Sequence, residues 1–391
     1  MQVLTNPIRE YAWGSRTAIA SIQGRSVPSD GPEAELWLGA HPAAPSVLGS
    51  VSLVDAIAAD PARMLGSAVV DAFGSRLPYL LKLLAAAEPL SLQVHPDATQ
   101  AAAGFAAQEA AGIPRDAADR IYPDPFHKPE LLVAVDDFEA LCGFRDPRVS
   151  ADAIASFGVP SLDPVVGALR SGAGSLREAV RLLTDWPVDD RAELVSAVAA
   201  SASSMSTEDA QLAADLAARY PGDAGVVLAL LLNHVWLRPG DAVWMPAGNM
   251  HMYLRGVGVE IMAASDNVLR SGLTPKHVDA PAVCAVLRYE VLADPVVRPV
   301  EVAPGVITWP VPVDEFSLHR VALDASGLVL PGGGPRIVLC LDGRARLSTA
   351  GVPGGIDVGA GQAVFVPASD GPVTAAGTAL LFQAAPNLTP R

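Results

Sequence analysis

A nine-residue pattern that occurs twice constrains the fold of this chain more than any other feature. Gly240-Asp-Ala-Val-Trp-Met-Pro-Ala-Gly248 reads as a turn, a short apolar strand and a second turn, and Gly361-Gln-Ala-Val-Phe-Val-Pro-Ala-Ser369 repeats it near the C-terminus. A degenerate repeat of this kind points to two related β-sandwich modules. The 391 residues leave room for both and for a third unit, at roughly 100–200 residues per domain. In register, Pro372 stands where the first copy has His251, and the second copy has no counterpart of the Gln93-x-His95 pair described below. The C-terminal module, whose only histidine candidate is His319, well upstream of the repeat, is therefore expected to keep the sandwich, lack a metal and serve a structural role.

Character changes along the chain suggest the partition. Residues 1–148 alternate Gly and Pro turns with short apolar stretches at 35–38, 79–84 and 131–135, which suit sandwich strands. Residues 52–59 and 98–111 look like short helices. Between 149 and 234 the period becomes helical: Ser175-Leu-Arg-Glu178 resembles a capping box followed by Val180 and Leu183, a second helix is expected over 192–200, and a third after Ser206 or Thr207 with Leu212 and Leu216 one turn apart. Strand character returns at 235. The expected class is mainly β with a helical insertion: the first sandwich in two parts (1–148 and 235–290), helices at 149–234, and the second sandwich at 291–391.

The formal charge of −15 and the lack of a basic stripe exclude nucleic acid as a partner. A small anion is not excluded, since a phosphate needs only a few local cations. The strongest apolar run, 226–232, is too short to span a bilayer. Cys142, Cys284 and Cys340 fit neither a disulfide framework nor a cysteine zinc motif, and residues 1–16 carry no apolar stretch like a signal peptide. The expectation is a soluble cytoplasmic protein.

Four potential metal ligands lie in three short segments: Gln93 and His95 in Ser91-Leu-Gln-Val-His-Pro96, Glu130 in His127-Lys-Pro-Glu130, and His251 in Pro246-Ala-Gly-Asn-Met-His251. Side chains two apart on a strand share a face, so Gln93 and His95 can act together. One carboxylate, two neutral imidazoles and an amide oxygen suit zinc and leave it about one positive charge with which to polarise an oxygen. Singly, each has a plainer reading: a solvent-facing strand pair, a surface turn, a core histidine beside Met250 and Met252. His41 has no partner at ligand spacing and is left out.

Other groups surround these. Lys128 shares a face with Glu130 if the segment is extended, and can orient a hydroxyl or move a proton. Glu260 stands among apolar neighbours in Gly258-Val-Glu-Ile261, where burial would raise its pKa. Asp266-Asn-Val-Leu-Arg270 is compact and polar, and the planar fork of Arg270 suits a phosphate or an oxyanion. Thr274-Pro-Lys276-His277 offers a further cation and also reads as a helix start with Thr274 as N-cap and Pro275 first. Trp13 and Trp37 are candidate pocket walls or plain core.

Five ordered segments together resemble type I mannose-6-phosphate isomerase: Tyr11-Ala-Trp-Gly-Ser15, Ala34-Glu-Leu-Trp-Leu-Gly-Ala-His41, Leu90-Ser-Leu-Gln-Val-His-Pro-Asp97, His127-Lys-Pro-Glu130 and Ser265-Asp-Asn-Val-Leu-Arg-Ser-Gly-Leu-Thr-Pro-Lys276. They run through the first 150 residues and again over about 235–290. The resemblance implies two cupin-like jelly-roll domains plus a helical domain, and one zinc held by Gln93, His95, Glu130 and His251. It places Arg270, Glu260, Lys128 and Asp266 in catalysis, with Ser91, His127, Tyr253, Lys276 and Trp13 at the substrate. The implied reaction interconverts mannose 6-phosphate and fructose 6-phosphate through a cis-enediol. It would supply mannose 6-phosphate for GDP-mannose and glycan synthesis, or feed mannose into glycolysis. Glu260 and Asp266 stay open as the base, and Lys128 and His127 as aids to ring opening. The expected partner is a small sugar phosphate bound by a monomer away from membranes. An iron oxygenase of two histidines and one carboxylate, and a non-catalytic sugar-binding cupin, are the rivals.

Overall fold

Strand pairing divides the chain between two eleven-stranded antiparallel sheets. The computed structural model describes residues 1–388 apart from 116, 118 and 277. In the first sheet, Glu35–Gly39, Tyr79–Ala86, His251–Ala263, Glu130–Ala134 and Ala242–Met245 lie side by side in that order. The beginning of His251–Ala263 pairs instead with Leu92–Val94 and Phe138–Phe144. One long strand therefore joins both halves of the sandwich.

These strands are apolar on both faces because both are covered. Leu84, Leu132, Phe138, Met245 and Tyr253 pack inside the module. Leu81, Leu83, Leu131, Val259 and Ile261 pack against Ile337, Leu339, Phe365 and Phe382 of the second sheet. That second sheet is built the same way. Arg336–Thr349 pairs with Thr374–Ala385 along its length, with Ala363–Val366 at its start and with Val352–Gly359 at its end. Both copies of the repeated sequence form a four-residue strand, Ala242–Met245 and Ala363–Val366.

The boundary drawn at 148 and 291 is crossed at the N-terminus. Gln2–Thr5 pairs with Ala363–Val366, with Gln2 opposite Phe365, and Val47–Leu48 and Val51–Ser52 extend the same sheet. The first strand satisfies the outer edge of a strand more than 350 residues away in sequence. An apolar pattern announces a strand and leaves its sheet unspecified.

The helical block runs from Pro147–Ser156 to Gly225–Ala229. Thr207 caps Glu208–Arg219, its hydroxyl accepting the Ala210 N–H at 3.2 Å. Leu176, Val180 and Leu183 are buried as their period requires. The capping box at Ser175 is not formed: the cap position is Gly174 at φ 78°, and Ser175 is already helical and buried. Nor does a helix start at Pro275. Ala280–Val286 begins later, under an Asp279 carboxylate that accepts the Ala282 N–H at 2.9 Å. The Thr274 hydroxyl only accepts the Lys276 N–H, closing a turn. Leu273, fully buried in the helical core, holds that segment in a different course.

An irregularity in His251–Ala263 shapes the site. The register with Phe138–Phe144 slips by one between Tyr253 and Arg255. Before the slip Tyr253 faces the interior, while Met252 and Leu254 face the helices. After it Val257, Val259 and Ile261 face the second module, which turns Glu260 inward opposite Lys82. A bulge is the simplest way to put His251 and Glu260, an odd number of residues apart, on one face. Gly256 makes the turn possible at φ 122°, where a Cβ would sit 2.7 Å from the Asp137 carbonyl oxygen. Gly256→Ala should lower unfolding free energy by more than about 1 kcal/mol, measured by urea titration; an unchanged midpoint would contradict the bulge's dependence on glycine.

Candidate metal centre

Glu130 opens the strand Glu130–Ala134 and reaches two imidazoles at once. Its Oε1 lies 3.2 Å from His95 Nε2, and its Oε2 lies 3.1 Å from His251 Nε2. All three side chains are buried, and the imidazole centroids are 5.1 Å apart. His95 Nδ1 sits 2.7 Å from the Asn267 carbonyl oxygen and His251 Nδ1 3.1 Å from that of Asn249. A carbonyl can only accept, so each Nδ1 carries the proton and each Nε2 presents a lone pair. Both Nε2 atoms and Glu130 Oε2 lack a hydrogen-bond donor. Converging lone pairs with no donor fit a divalent cation held by nitrogen and oxygen, as zinc is. Among the described residues this is the one group of three such ligands.

Gln93 lies directly across the ladder from His251, so the two side chains share a face. Arg270 is opposite Gln93 on the other side. Lys128 Nζ is 3.0 Å from Glu130 Oε1. Burial pushes the Glu130 carboxyl up, but the Lys128 ammonium overcomes it and holds the pKa well below the usual range. Burial first, and Lys128 second, push the His95 imidazole down to about 4.

A second polar row flanks this cluster. Glu260 is buried with one oxygen 3.0 Å from Lys82 Nζ, which is 3.4 Å from Glu35. Burial raises the Glu260 pKa against the pull of Lys82, and the Glu130 charge adds to the rise. The Trp37 indole N–H donates to Glu35 at 2.7 Å, so this tryptophan orients a carboxylate. Asp266 is half-exposed, with His41 Nε2 3.3 Å away. Burial lifts its pKa, but the contact with His41 leaves it below the usual value. His41, left out of the metal set on spacing, lies outside it here as well and contacts Asp266 instead.

Residues 1–147 match the catalytic domain of type I phosphomannose isomerase. The chain is 39% identical to the mannose-6-phosphate isomerase of Salmonella typhimurium, over 98% of this chain and 99% of the relative. It belongs to the type I mannose-6-phosphate isomerase family. The family member from Escherichia coli is 37% identical over 96% of this chain and 97% of its own. A solved mannose 6-phosphate isomerase with zinc bound has a TM-score of 0.90 at 37% identity, covering 99% of each chain. The cupin-type β fold with a helical region is common to both structures.

The remaining residues singled out from the family motifs separate into two sets. Tyr253 is buried 5.9 Å from the His251 ring, and burial with the nearby Glu260 and Glu130 carboxylates raises its pKa well above the usual value. Trp13 stacks on Tyr11 at 5.7 Å. Ser91 precedes the strand Leu92–Val94, half-buried. Arg270 and Lys276 line one cleft of about 430 Å³ together with Arg120 and Asp279. Neither cation is in an ion pair among the described residues. Burial lowers the pKa of both, and for Lys276 the nearby Arg270 lowers it further. His277 lies outside the described residues.

His127 points away. Its Nε2 contacts Glu315 of the second module at 2.7 Å. In an extended segment 127 and 128 face opposite sides, so a Lys128 directed at the metal ligands turns His127 outward. Sequence reading also missed Lys82, Asp124 and Asn267. Asn267 holds His95 through its carbonyl, and its amide donates to the carbonyls of Asp124 and Phe126 at 2.8 and 2.7 Å. Lys82 carried a signal, a lone cation in an apolar strand. Asp124 and Asn267 carried none.

In the metal-free protein, His95 titrates at about 4 when folded and near ~6.5 when unfolded. The unfolded state then binds more protons between those values, so stability is full above the upper one and falls as pH drops through the window. Chelated protein should show a falling Tm from about pH 6.5 to 4, and a His95→Ala variant a shallower fall; identical slopes would refute the assignment.

Proposed function

We propose that this chain interconverts mannose 6-phosphate and fructose 6-phosphate by moving hydrogen between C1 and C2. The observation that carries this reading is the buried His95, Glu130 and His251 triangle with Gln93 across the ladder, in a chain alike over nearly its whole length to isomerases. Gln93, His95, Glu130 and His251 would hold one zinc, which supplies Lewis-acid stabilisation of charge developing on a sugar oxygen.

The protein groups divide the remaining work. Arg120, Arg270 and Lys276 outnumber Asp119 and Asp279 around one cleft, a balance that suits the phosphate, and Arg270, opposite Gln93, also suits charge on the open-chain sugar. A base must carry a proton between adjacent carbons. Glu260 fits best because burial raises its proton affinity and Lys82 fixes its position. Asp266, half-exposed beside His41, is the second candidate. Lys128 stands where it can hand a proton to the ring oxygen on opening. Ser91, Tyr253 and Trp13 bound the sugar, whereas His127 is engaged with Glu315 and is assigned no step. Cys142, Cys284 and Cys340 are free thiols, which suits a reducing cytoplasm. The oxygenase and non-catalytic readings are not favoured, because the matched relatives are isomerases over nearly their full length.

A coupled assay for fructose 6-phosphate from mannose 6-phosphate should show activity lost on chelation and restored by zinc; activity indifferent to chelation would sink the reading. Glu260→Gln should lower kcat by about 100-fold or more with zinc content unchanged. Near-normal turnover would remove Glu260 as the base and leave Asp266.

A further inference from the structure

The helical block holds no metal ligand and no cationic cleft of its own, yet one of its side chains grips the segment that carries Arg270 and Lys276. Asp223 lies in the link between Glu208–Arg219 and Gly225–Ala229. One of its oxygens accepts the Gly225 N–H at 2.8 Å, and the other accepts the Leu273 N–H at 2.6 Å. The segment it reaches departs from regular structure. Leu269–Gly272 pairs with Leu92–Val94, but the register slips between Arg270 and Gly272. Gly272 follows at φ 140° and Leu273 at φ 54°, the one non-glycine with positive φ among the described residues. A branched apolar residue in the left-handed region costs on the order of 1 kcal/mol or more, so something must hold it there. The Leu273 side chain is buried in the helical core, and its N–H is bound by Asp223.

Close backbone approach completes the clamp. A Cβ on Gly225 would meet Leu273 Cγ at 3.1 Å and Leu273 N at 3.2 Å, and one on Gly272 would meet Asp223 Oδ1 at 3.0 Å. Arg270 is therefore fixed from two sides: by the ladder to Gln93 beside the metal ligands, and by Asp223 just after the bulge. Lys276 follows the clamped turn and faces the same cleft.

We infer that Asp223 is a positioning residue for phosphate recognition: by holding Leu273 in its strained conformation it aims Arg270 and Lys276 at one anion. The inference rests on the assignment of that cleft to the phosphate. It gives the helical block a role in substrate affinity, although Asp223 itself touches no substrate.

Full-length, zinc-loaded Asp223→Ala and Gly225→Ala proteins test it, with kcat and KM for mannose 6-phosphate, zinc content, and calorimetric binding of inorganic phosphate as readouts. Loss of a carboxylate that holds two N–H groups is expected to raise KM and weaken phosphate binding together by about tenfold, with a smaller fall in kcat through Arg270, and with zinc retained. Asp223→Asn, which keeps one accepting oxygen, should fall between. Folded, zinc-replete variants with wild-type KM and wild-type phosphate binding would overturn the inference, as would a loss confined to kcat or to zinc. Should Asp223→Ala not fold, Gly225→Ala decides by the same criteria. Phosphate binding is read without turnover, so a wild-type chain inactive on mannose 6-phosphate would refute the proposed reaction and still leave the clamp testable.

Discussion

Everything at the centre of this protein is arranged around the carboxylate of Glu130, which is buried between two imidazoles and an ammonium. An isolated carboxylate in such a place would take up a proton. Here Lys128 keeps it ionised, and the two carbonyl-bound Nδ1 atoms keep both Nε2 lone pairs directed towards it. A cation shared among these acceptors would satisfy them, and it requires them to be held in fixed positions. That requirement explains why the flanking backbone is held so firmly: Asn267 is tied to Asp124 and Phe126, and His95 is tied to Asn267.

Around this charge the sandwich sorts polar groups by face. The slip in His251–Ala263 places a metal ligand and a buried carboxylate on the same interior wall, while the strand's other face serves the helical core at one end and the second module at the other. Glu35, Lys82 and Glu260 then form a row in which one ammonium serves two carboxylates. A row with more acid than base keeps a proton affinity high, which is what a group exchanging a proton with carbon needs.

Legibility differed by element for physical reasons. Turn–strand–turn segments punctuated by glycine and proline could be read because local sterics fix them, and both repeat copies are strands. Leu176, Val180 and Leu183 could be read because period alone decides which helical face is buried. The caps were less legible: Ser175 had the residue pattern of a capping box, but a left-handed Gly174 took that place. His95, Glu130 and His251, which the structure brings together, were recoverable as chemistry, since few residue types can serve zinc. The contact of His127 was not legible because its partner, Glu315, comes from the other end of the chain. The contact of His41 was not legible for the same reason, its partner Asp266 being remote in sequence.

By itself the sequence determined the repeated module, the helical insertion and the donor types available to a metal, all of which depend on local backbone preference or intrinsic side-chain chemistry. Tertiary structure alone decided which sheet receives Gln2–Thr5, which face Glu260 occupies after the slip, and that Asp223 reaches Leu273. Those outcomes depend on register and on contacts between residues far apart in the chain, and a one-residue slip exchanges inside for outside without altering any local propensity.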